Sequence, residues 1–349
     1  MAINSKLHQW IRNSFLGKSR LFFLLRFLSR RKAAKRVLRK FVRRPLENSE
    51  EEKFLKGMRH AMVQYRWDFD EFFLYHFDEL DPEARRSFVP EYEKNILCDQ
   101  VNARSSQHIF DNKWMTYNTF RKYYKRQVQL LETLDDVEKV LPSLAHSEYI
   151  VKPVVSTLGK GVKKVCLSDS LASKKLQLQE FLSEYPQGCV LEEVIRQVEA
   201  LACLHPQSVN TLRVHTFRCG EEVKVFKPYL RMGRGDSLVD NAGAGGIFTS
   251  VDFQTGVVTK AVDELGQSYV SHPDTKVKLI GFQIPHWQEA LDLARELAMV
   301  VPENRYTGWD LALSADGWVV VEANTRAQFV FQIPEQKGFR GELESILAM

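Results

Sequence analysis

Apolar runs of strand length, broken by small and turn-forming residues, mark the chain from about residue 108 onward, whereas residues 47 to about 105 carry their apolar positions at helical spacing. The most informative run is Thr307 to Arg326, TGWDLALSADGWVVVEANTR, where strand-like WDLAL and WVVVEAN flank Ser-Ala-Asp-Gly. It predicts a β-hairpin, with Gly317 free to take a positive φ. A three-residue loop, Ala315 to Gly317, sets Asp310 directly opposite Glu322, and the period of two places Asn324 on the same face. Upstream, YIVKPVVSTLGKGVKKV predicts a strand, a turn through Ser156 to Gly161 and a second strand from Val162. GCVLEEVIRQVEA predicts a strand running into Glu192 and Glu193, followed by Val194. SVNTLRVHTFRCGEEVKVFKPYLRM predicts two strands around Cys219-Gly220-Glu221, and DNAGAGGIFTSVDFQTG joins a small-residue loop containing Asn241 to a further hairpin. In the helical stretch, aromatic-rich YRWDFDEFFLYHF reads as packing core.

Composition narrows the class. With 349 residues, 44% hydrophobic and 11% aromatic, the chain can bury one large core or two to three smaller lobes, as a soluble enzyme of moderate size does. Its five cysteines are scattered and odd in number, which suggests neither a disulfide framework nor a zinc site and suits a reducing cytosol. The net charge of +5 conceals an asymmetry: residues 1–46 hold 14 Lys or Arg and no Asp or Glu, leaving 35 basic against 44 acidic residues elsewhere. Within this arm, Ile11, Phe15, Leu21 to Leu25 and Leu28 alternate with Arg12, Lys18, Arg20, Arg26 and Arg30 in the manner of a basic amphipathic helix. Its longest apolar run falls far short of the roughly 20 residues a bilayer span needs, and no cleavage site of a secretory signal follows it. An anionic membrane surface, nucleic acid and an ordinary helix packed on the body are three roles for such an arm. Bulky Phe and Leu speak against nucleic acid, whose backbone needs cations but no apolar face.

Several groups carry chemistry. Unpaired acids facing each other, as Asp310 and Glu322 do, are destabilising on a strand pair. A divalent cation reverses that sign, and carboxylate and carboxamide oxygens with room left for phosphate are what magnesium accepts; a solvated face carrying two acids is the alternative. The loop Ser156 to Gly161, with Gly159, Lys160 and Gly161, lets backbone N–H groups approach phosphate oxygens near Lys152. It lacks G-x-x-x-x-G-K-[ST], and many ordinary hairpins contain a Gly-Lys-Gly turn. Glu192 and Glu193 at a strand end can accept from an adenine amino group or ribose hydroxyls, or be plain surface charge. Arg213 and Arg231 sit inside largely apolar runs, where an arginine usually meets an anion.

Taken in order, the V-K-P strand and glycine-containing loop, the strand ending in paired acids, the N-T-L-R-V strand, the D-N-x-G-x-G-G loop and the W-D…E-x-N hairpin resemble the ATP-grasp superfamily, and within it the sugar-transfer-associated ATP-grasp family, over about residues 105 to 335. The resemblance implies an α+β ATP-grasp fold, two α+β lobes clasping ATP, here preceded by a mainly helical N-terminal region. The expected divisions are a basic arm at 1–46, a helical region at 47–105, a small lobe at 106–195 and a large lobe at 196–349. It also implies that Lys113 and Lys152 touch the phosphates or adenine, that Glu192 and Glu193 lie at the adenine hinge with Glu199 as ribose partner, that Asp310, Glu322 and Asn324 hold magnesium, and that Arg213 faces the transferred phosphate. The N-terminal part does not read as the Rossmann-like first domain usual in these ligases.

The activity so implied is carboxylate–amine ligation through an acyl-phosphate, with ATP and magnesium. The substrates would be a small molecule or glycan bearing carboxylate and amine components, in surface polysaccharide biosynthesis. The expected location is cytoplasmic, peripheral at the inner membrane face if the arm binds anionic lipid, with no nucleic-acid partner. A sugar or lipid kinase of the same fold and a non-catalytic nucleotide-binding scaffold are the alternatives.

Overall fold

Short polar caps and aromatic packing shape the first unit. A computed structural model describes residues 19–156, 160–168, 170–240 and 245–349; of the residues singled out above, Ile11, Arg12, Phe15, Lys18, Gly159 and Asn241 lie outside these. Contacts divide the chain into two compact units, the first comprising residues up to Val101 with 265–268 and 328–349, the second Asn102–Glu264 with Tyr269–Ala327. Residues 328–349, expected in the large lobe, thus belong with the helical unit.

The first unit contains α1 (Arg20–Ser29), α2 (Arg31–Val42), α3 (Asn48–Tyr65), α4 (Phe69–Leu74), α5 (Pro82–Ser87) and α6 (Glu91–Val101). Capping boxes start α3, through Glu47 and Glu50, and α4, through Asp68 and Glu71, satisfying backbone N–H groups that a helix start leaves bare. The aromatic run is core: Trp67 meets Tyr75, Phe77 and Phe88 edge-on, with centroids 5.2–5.4 Å apart. The buried Gln332 amide ties residues 328–349 to this unit by donating to the Val89 carbonyl at 3.0 Å and accepting from its N–H at 2.9 Å. Within the arm, α2 keeps the amphipathic pattern, burying Ala34 and Leu38 with Lys32, Arg36 and Arg39 exposed, whereas α1 departs from it. Arg26 and Arg30 turn inward to Asp68, at 3.1 and 3.0 Å, while Leu21, Leu25 and Leu28 face outward. Among the described residues no helix is long and apolar enough to cross a membrane.

The second unit is built on two antiparallel sheets. After α7 (Gln107–Asp111) and α8 (Lys113–Tyr124) come β1 (Val128–Leu131), α9 (Leu134–Val140), β2 (Glu148–Pro153), β3 (Lys163–Cys166), α10 (Leu171–Glu184) and β4 (Cys189–Glu193). The strands form a sheet in the order β1-β4-β2-β3. Its Leu131, Tyr149, Val151, Cys189 and Leu191 pack with Val137 of α9 and Leu178 of α10. Next come β5 (Thr211–Cys219), β6 (Glu222–Met232), β7 (Ile247–Val251), β8 (Val258–Val262), α11 (Trp287–Val300), β9 (Tyr306–Ser314) and β10 (Gly317–Asn324). They make a second sheet, ordered β10-β9-β5-β6-β7-β8. Its apolar set, Leu212, Val214, Leu230, Trp309 and Leu311, shares one core with Ala290, Ala294 and Leu297 of α11. By the period of two, the alternate positions face the other way.

The β9–β10 hairpin turns more tightly than expected. Ser314 pairs with Gly317, leaving a two-residue loop, and Gly317 has φ +89°. A bulge between Val320 and Glu322 then absorbs one residue, so Glu322 still stands opposite Asp310. At Gly308 the chain permits no side chain: a Cβ there would lie 2.3 Å from the Ala327 Cβ and 3.2 Å from the Arg213 Cδ. Gly308→Ala is expected to lower unfolding free energy by about 1–3 kcal/mol, read from urea melts; an unchanged midpoint would show that Ala327 moves aside freely.

Candidate active site

Cross-strand partners share a face, so the register of the large sheet fixes what lies opposite its α11 core. Arg213 stands between Tyr229 and Asp310, Thr211 beside Arg231, and Asp310 between Arg213 and Glu322. Asp310 is 2% exposed and Arg213 6%. Asp310 Oδ1 accepts from Arg213 Nε, and Oδ2 accepts from Arg213 Nη2 at 2.9 Å and lies 3.0 Å from Arg231 Nη2. Arg231 also donates to Thr211 Oγ1 at 2.8 Å and pairs with Asp240 at 3.2 Å. Burial pushes the Asp310 carboxyl up, but the two guanidinium groups outweigh it and hold the group below the usual range. Asp240 has one arginine shared with a second acid, and burial prevails, raising its carboxyl. Among the described residues the Glu322 carboxylate makes no hydrogen bond or ion pair, while the Asn324 amide donates to Asp310 Oδ2 at 3.3 Å.

Across the cleft, β2 and β4 supply the opposite sign. Lys152 and Glu192 share a sheet face, two residues apart in register, and Lys152 Nζ donates to Glu192 Oε2 at 2.9 Å. The same oxygen accepts from Arg126 Nη2 at 3.0 Å. Burial raises the Glu192 carboxyl, but Lys152 and Arg126 outweigh it, and the net position is below the usual range. Lys113 opens α8 with its N–H bonded to the Val154 carbonyl at 2.9 Å, and its Nζ donates to the carbonyl and hydroxyl of Ser156, both at 3.0 Å. Burial draws its ammonium pKa down, opposed by the charge of Glu322.

One cleft of about 540 Å³ is lined by Lys113, Lys152, Ser156, Glu192, Glu193, Val194, Arg231, Asp310, Glu322 and Asn324. Arg213 stands directly behind it through Asp310. Three sequence-derived candidates lie elsewhere. Glu199 begins a single helical turn and is exposed, outside the cleft lining, because the Gln197–Ser314 bridge carries the chain past the hinge before that turn. Lys160 and Gly161 are exposed at the tip of the β2–β3 turn and do not line the cleft either; Gly161 has φ +75°. Of the two hinge acids, Glu192 is engaged by Lys152 and Arg126, and Glu193 accepts from the Gln127 N–H at 2.9 Å, so both carboxylates already have protein donors.

Sequence reasoning missed Arg126 and Asp240. Arg126 stacks on Tyr124 at 4.5 Å and donates to the Val320 carbonyl at 2.7 Å as well as to Glu192, so it links the small sheet to the strand carrying Glu322. A cation set between the aromatic end of α8 and the apolar start of β1 was its only signal. Asp240 opens the D-N-x-G-x-G-G motif, and that position was the signal that could have marked it.

The donor set fits magnesium. Among the described residues no three His, Cys, Asp or Glu side chains cluster as a metal site, but magnesium takes one or two carboxylates and completes its shell with water and phosphate. Glu322 offers an uncommitted carboxylate, Asp310 is held ionised, as a ligand must be, and Asn324 adds a carboxamide oxygen.

Residues 92–348 match the profile of the family described as sugar-transfer-associated ATP-grasp. A comparison with curated proteins gives no match. Among solved structures, N5-carboxyaminoimidazole synthase from Aspergillus clavatus, with ADP and 5-aminoimidazole ribonucleotide, is similar at 14% identity and TM-score 0.44, over 75% of this chain and 58% of that one. D-alanyl-alanine synthetase A from Vibrio cholerae O1 is similar at 11% identity and TM-score 0.41, over 70% and 62%. The ATP-grasp ligase PsnB with its minimal precursor is similar at 16% identity and TM-score 0.41, over 74% and 68%. The chain spans 46%, 62% and 58% of the first three structures compared.

Two outcomes follow from the buried charges. Arg126→Met leaves Glu192 with Lys152 alone and is expected to cost about 3 kcal/mol in urea melts, since one partner of a buried pair is lost; a cost below about 0.5 kcal/mol would show the link to be idle. Glu192 has a folded-state pKa below its unfolded value, so its stabilisation is present above about pH 4.5 and is lost as pH falls through the depressed value. Glu192→Gln should therefore flatten the acid side of the stability–pH curve; an unaltered acid limb would contradict this.

Proposed function

The chain belongs to the sugar-transfer-associated ATP-grasp family, and from that premise we propose that it is a magnesium- and ATP-dependent carboxylate–amine ligase. The observation that carries this reading is the division of charge in one cleft, with Lys113 and Lys152 on one side and Asp310, Glu322 and Asn324 on the other. Such a division suits a polyphosphate held with a divalent cation between lobes.

Lys113 and Lys152 would bind the phosphates. Lys113 is already desolvated and Lys152 is oriented by Glu192, so little ordering remains to be done on binding. Asp310, Glu322 and Asn324 would hold magnesium, which when bound supplies charge neutralisation at the phosphates. A substrate carboxylate oxygen bonds to the γ-phosphorus while the bond to the bridging oxygen of ADP breaks. An amine then bonds to the acyl carbon, phosphate departs and the amine loses a proton, which gives the amide. Arg231, at the cleft wall, would face the negative charge of the transferred group, and Arg213 would keep Asp310 ionised and fixed. The two carboxylate-engaged hinge acids leave the backbone around Val194 to read the base. The family association favours a sugar-linked substrate in surface polysaccharide assembly, with the enzyme in the cytoplasm and its basic residues 1–46 holding it near membrane-bound intermediates.

ADP and phosphate release is measured with magnesium-ATP over sugar acids, amino sugars and amino acids. Amine-dependent phosphate release is expected, and Glu322→Gln should lower it on the order of 100-fold or more. ADP without free phosphate would identify a kinase, and nucleotide binding without turnover across the array would favour a scaffold.

A further inference from the structure

Helix α1 has an apolar face on both sides. Phe23 and Phe27 are buried in the first unit, at 2% and 4% exposure, and Arg26 and Arg30 on the flank between are tied to Asp68. Leu21, Leu25 and Leu28, spaced i, i+4, i+7 on the opposite side, remain 63%, 57% and 53% exposed. A helix greasy all round is normally enclosed, and three aligned leucines in water form a patch, unlike leucines scattered singly. One residue further on, α2 repeats the spacing with Lys32, Arg36 and Arg39, all exposed, and among the described residues none of the three has a carboxylate partner. Their neighbours Arg31 and Lys35 do, in Glu52 and Glu51. Along the chain the exposed leucines come first and cations without an ion pair next, and no acid occurs from residue 19 to 46; the opposing charge of Glu51 acts on Arg39 without pairing with it.

We propose that this face of α1 and α2 docks on an anionic lipid surface, with Leu21, Leu25 and Leu28 entering the headgroup–acyl boundary and Lys32, Arg36 and Arg39 meeting lipid phosphates. The charge complementarity selects the partner. Leucines reward an apolar phase, and long flexible cations reward a diffuse sheet of negative charge, which is what such a membrane offers. The proposal sharpens the membrane placement of the preceding reading and is tested without nucleotide, so the two can fail separately.

The full chain is sedimented with vesicles of phosphatidylcholine alone and of phosphatidylcholine mixed with phosphatidylglycerol. Binding is expected to the mixed vesicles only and to weaken with salt. The combined Leu21→Gln, Leu25→Gln and Leu28→Gln variant should bind about tenfold or more weakly, and Lys32→Gln, Arg36→Gln and Arg39→Gln together roughly 100-fold more weakly, with thermal melting unchanged in both. No binding to the mixed vesicles overturns the proposal. So does a leucine variant that binds as well as wild type but melts several degrees lower, which would mean that another part of this chain covers the leucines, or a wild-type dimer that the leucine variant dissolves, which would make the occupant a second copy.

Discussion

Asp310 between Arg213 and Arg231 is the interaction on which the second unit turns. Three buried charges on β9, β5 and β6 are costly to desolvate and repay that cost only in correct register, because Arg213 must meet Asp310 on the adjacent strand and Arg231 must reach it across β5. A one-residue slip would carry the charges into the α11 core and the leucines into the cleft. The same triad sets the electrostatics of the cleft. With Asp310 claimed by two arginines and Asp240 by one of them, Glu322 beside them has no ion-pair or hydrogen-bond partner among the described residues.

The small sheet shows the converse balance. Lys152 and Arg126 converge on a single carboxylate, Glu192, with Lys113 nearby on a backbone carbonyl and a hydroxyl. Cations exceed acids there, and the excess suits an anionic ligand. Arg126 also spans to the Val320 carbonyl at the edge of the β10 bulge, so the acid at the hinge and the strand that carries Glu322 are held by one guanidinium. Positioning of both halves of the cleft thus passes through a residue that does not itself line it.

Local patterns were readable from the sequence, and long-range ones were not. The pairing of Asp310 with Glu322 was legible because a hairpin is a local structure with a period of two. The loop was nevertheless one residue shorter than expected, and the bulge at Val320/Glu322, which no residue type announced, restored the pairing. The contact of Arg213 with Asp310 joins strands 97 residues apart in sequence and could not be derived from spacing. Charge was the least legible feature of the arm. Arg26 and Arg30 looked like its wet face, yet Asp68 draws them inward, and the leucines take the outer side. Membership in the sugar-transfer-associated ATP-grasp family rests on the profile match over residues 92–348, while the motifs that made the likeness legible all lie in the second unit.

Calorimetric titration of ADP in the presence and absence of magnesium, on wild type and Glu322→Gln, tests most directly the claim that the cleft is a nucleotide site with a metal between its acids and the phosphates. Wild type should bind ADP about tenfold or more tightly with magnesium, and the variant should bind ADP but lose that enhancement. ADP affinity indifferent to magnesium in wild type, or no ADP binding at all, would contradict the account.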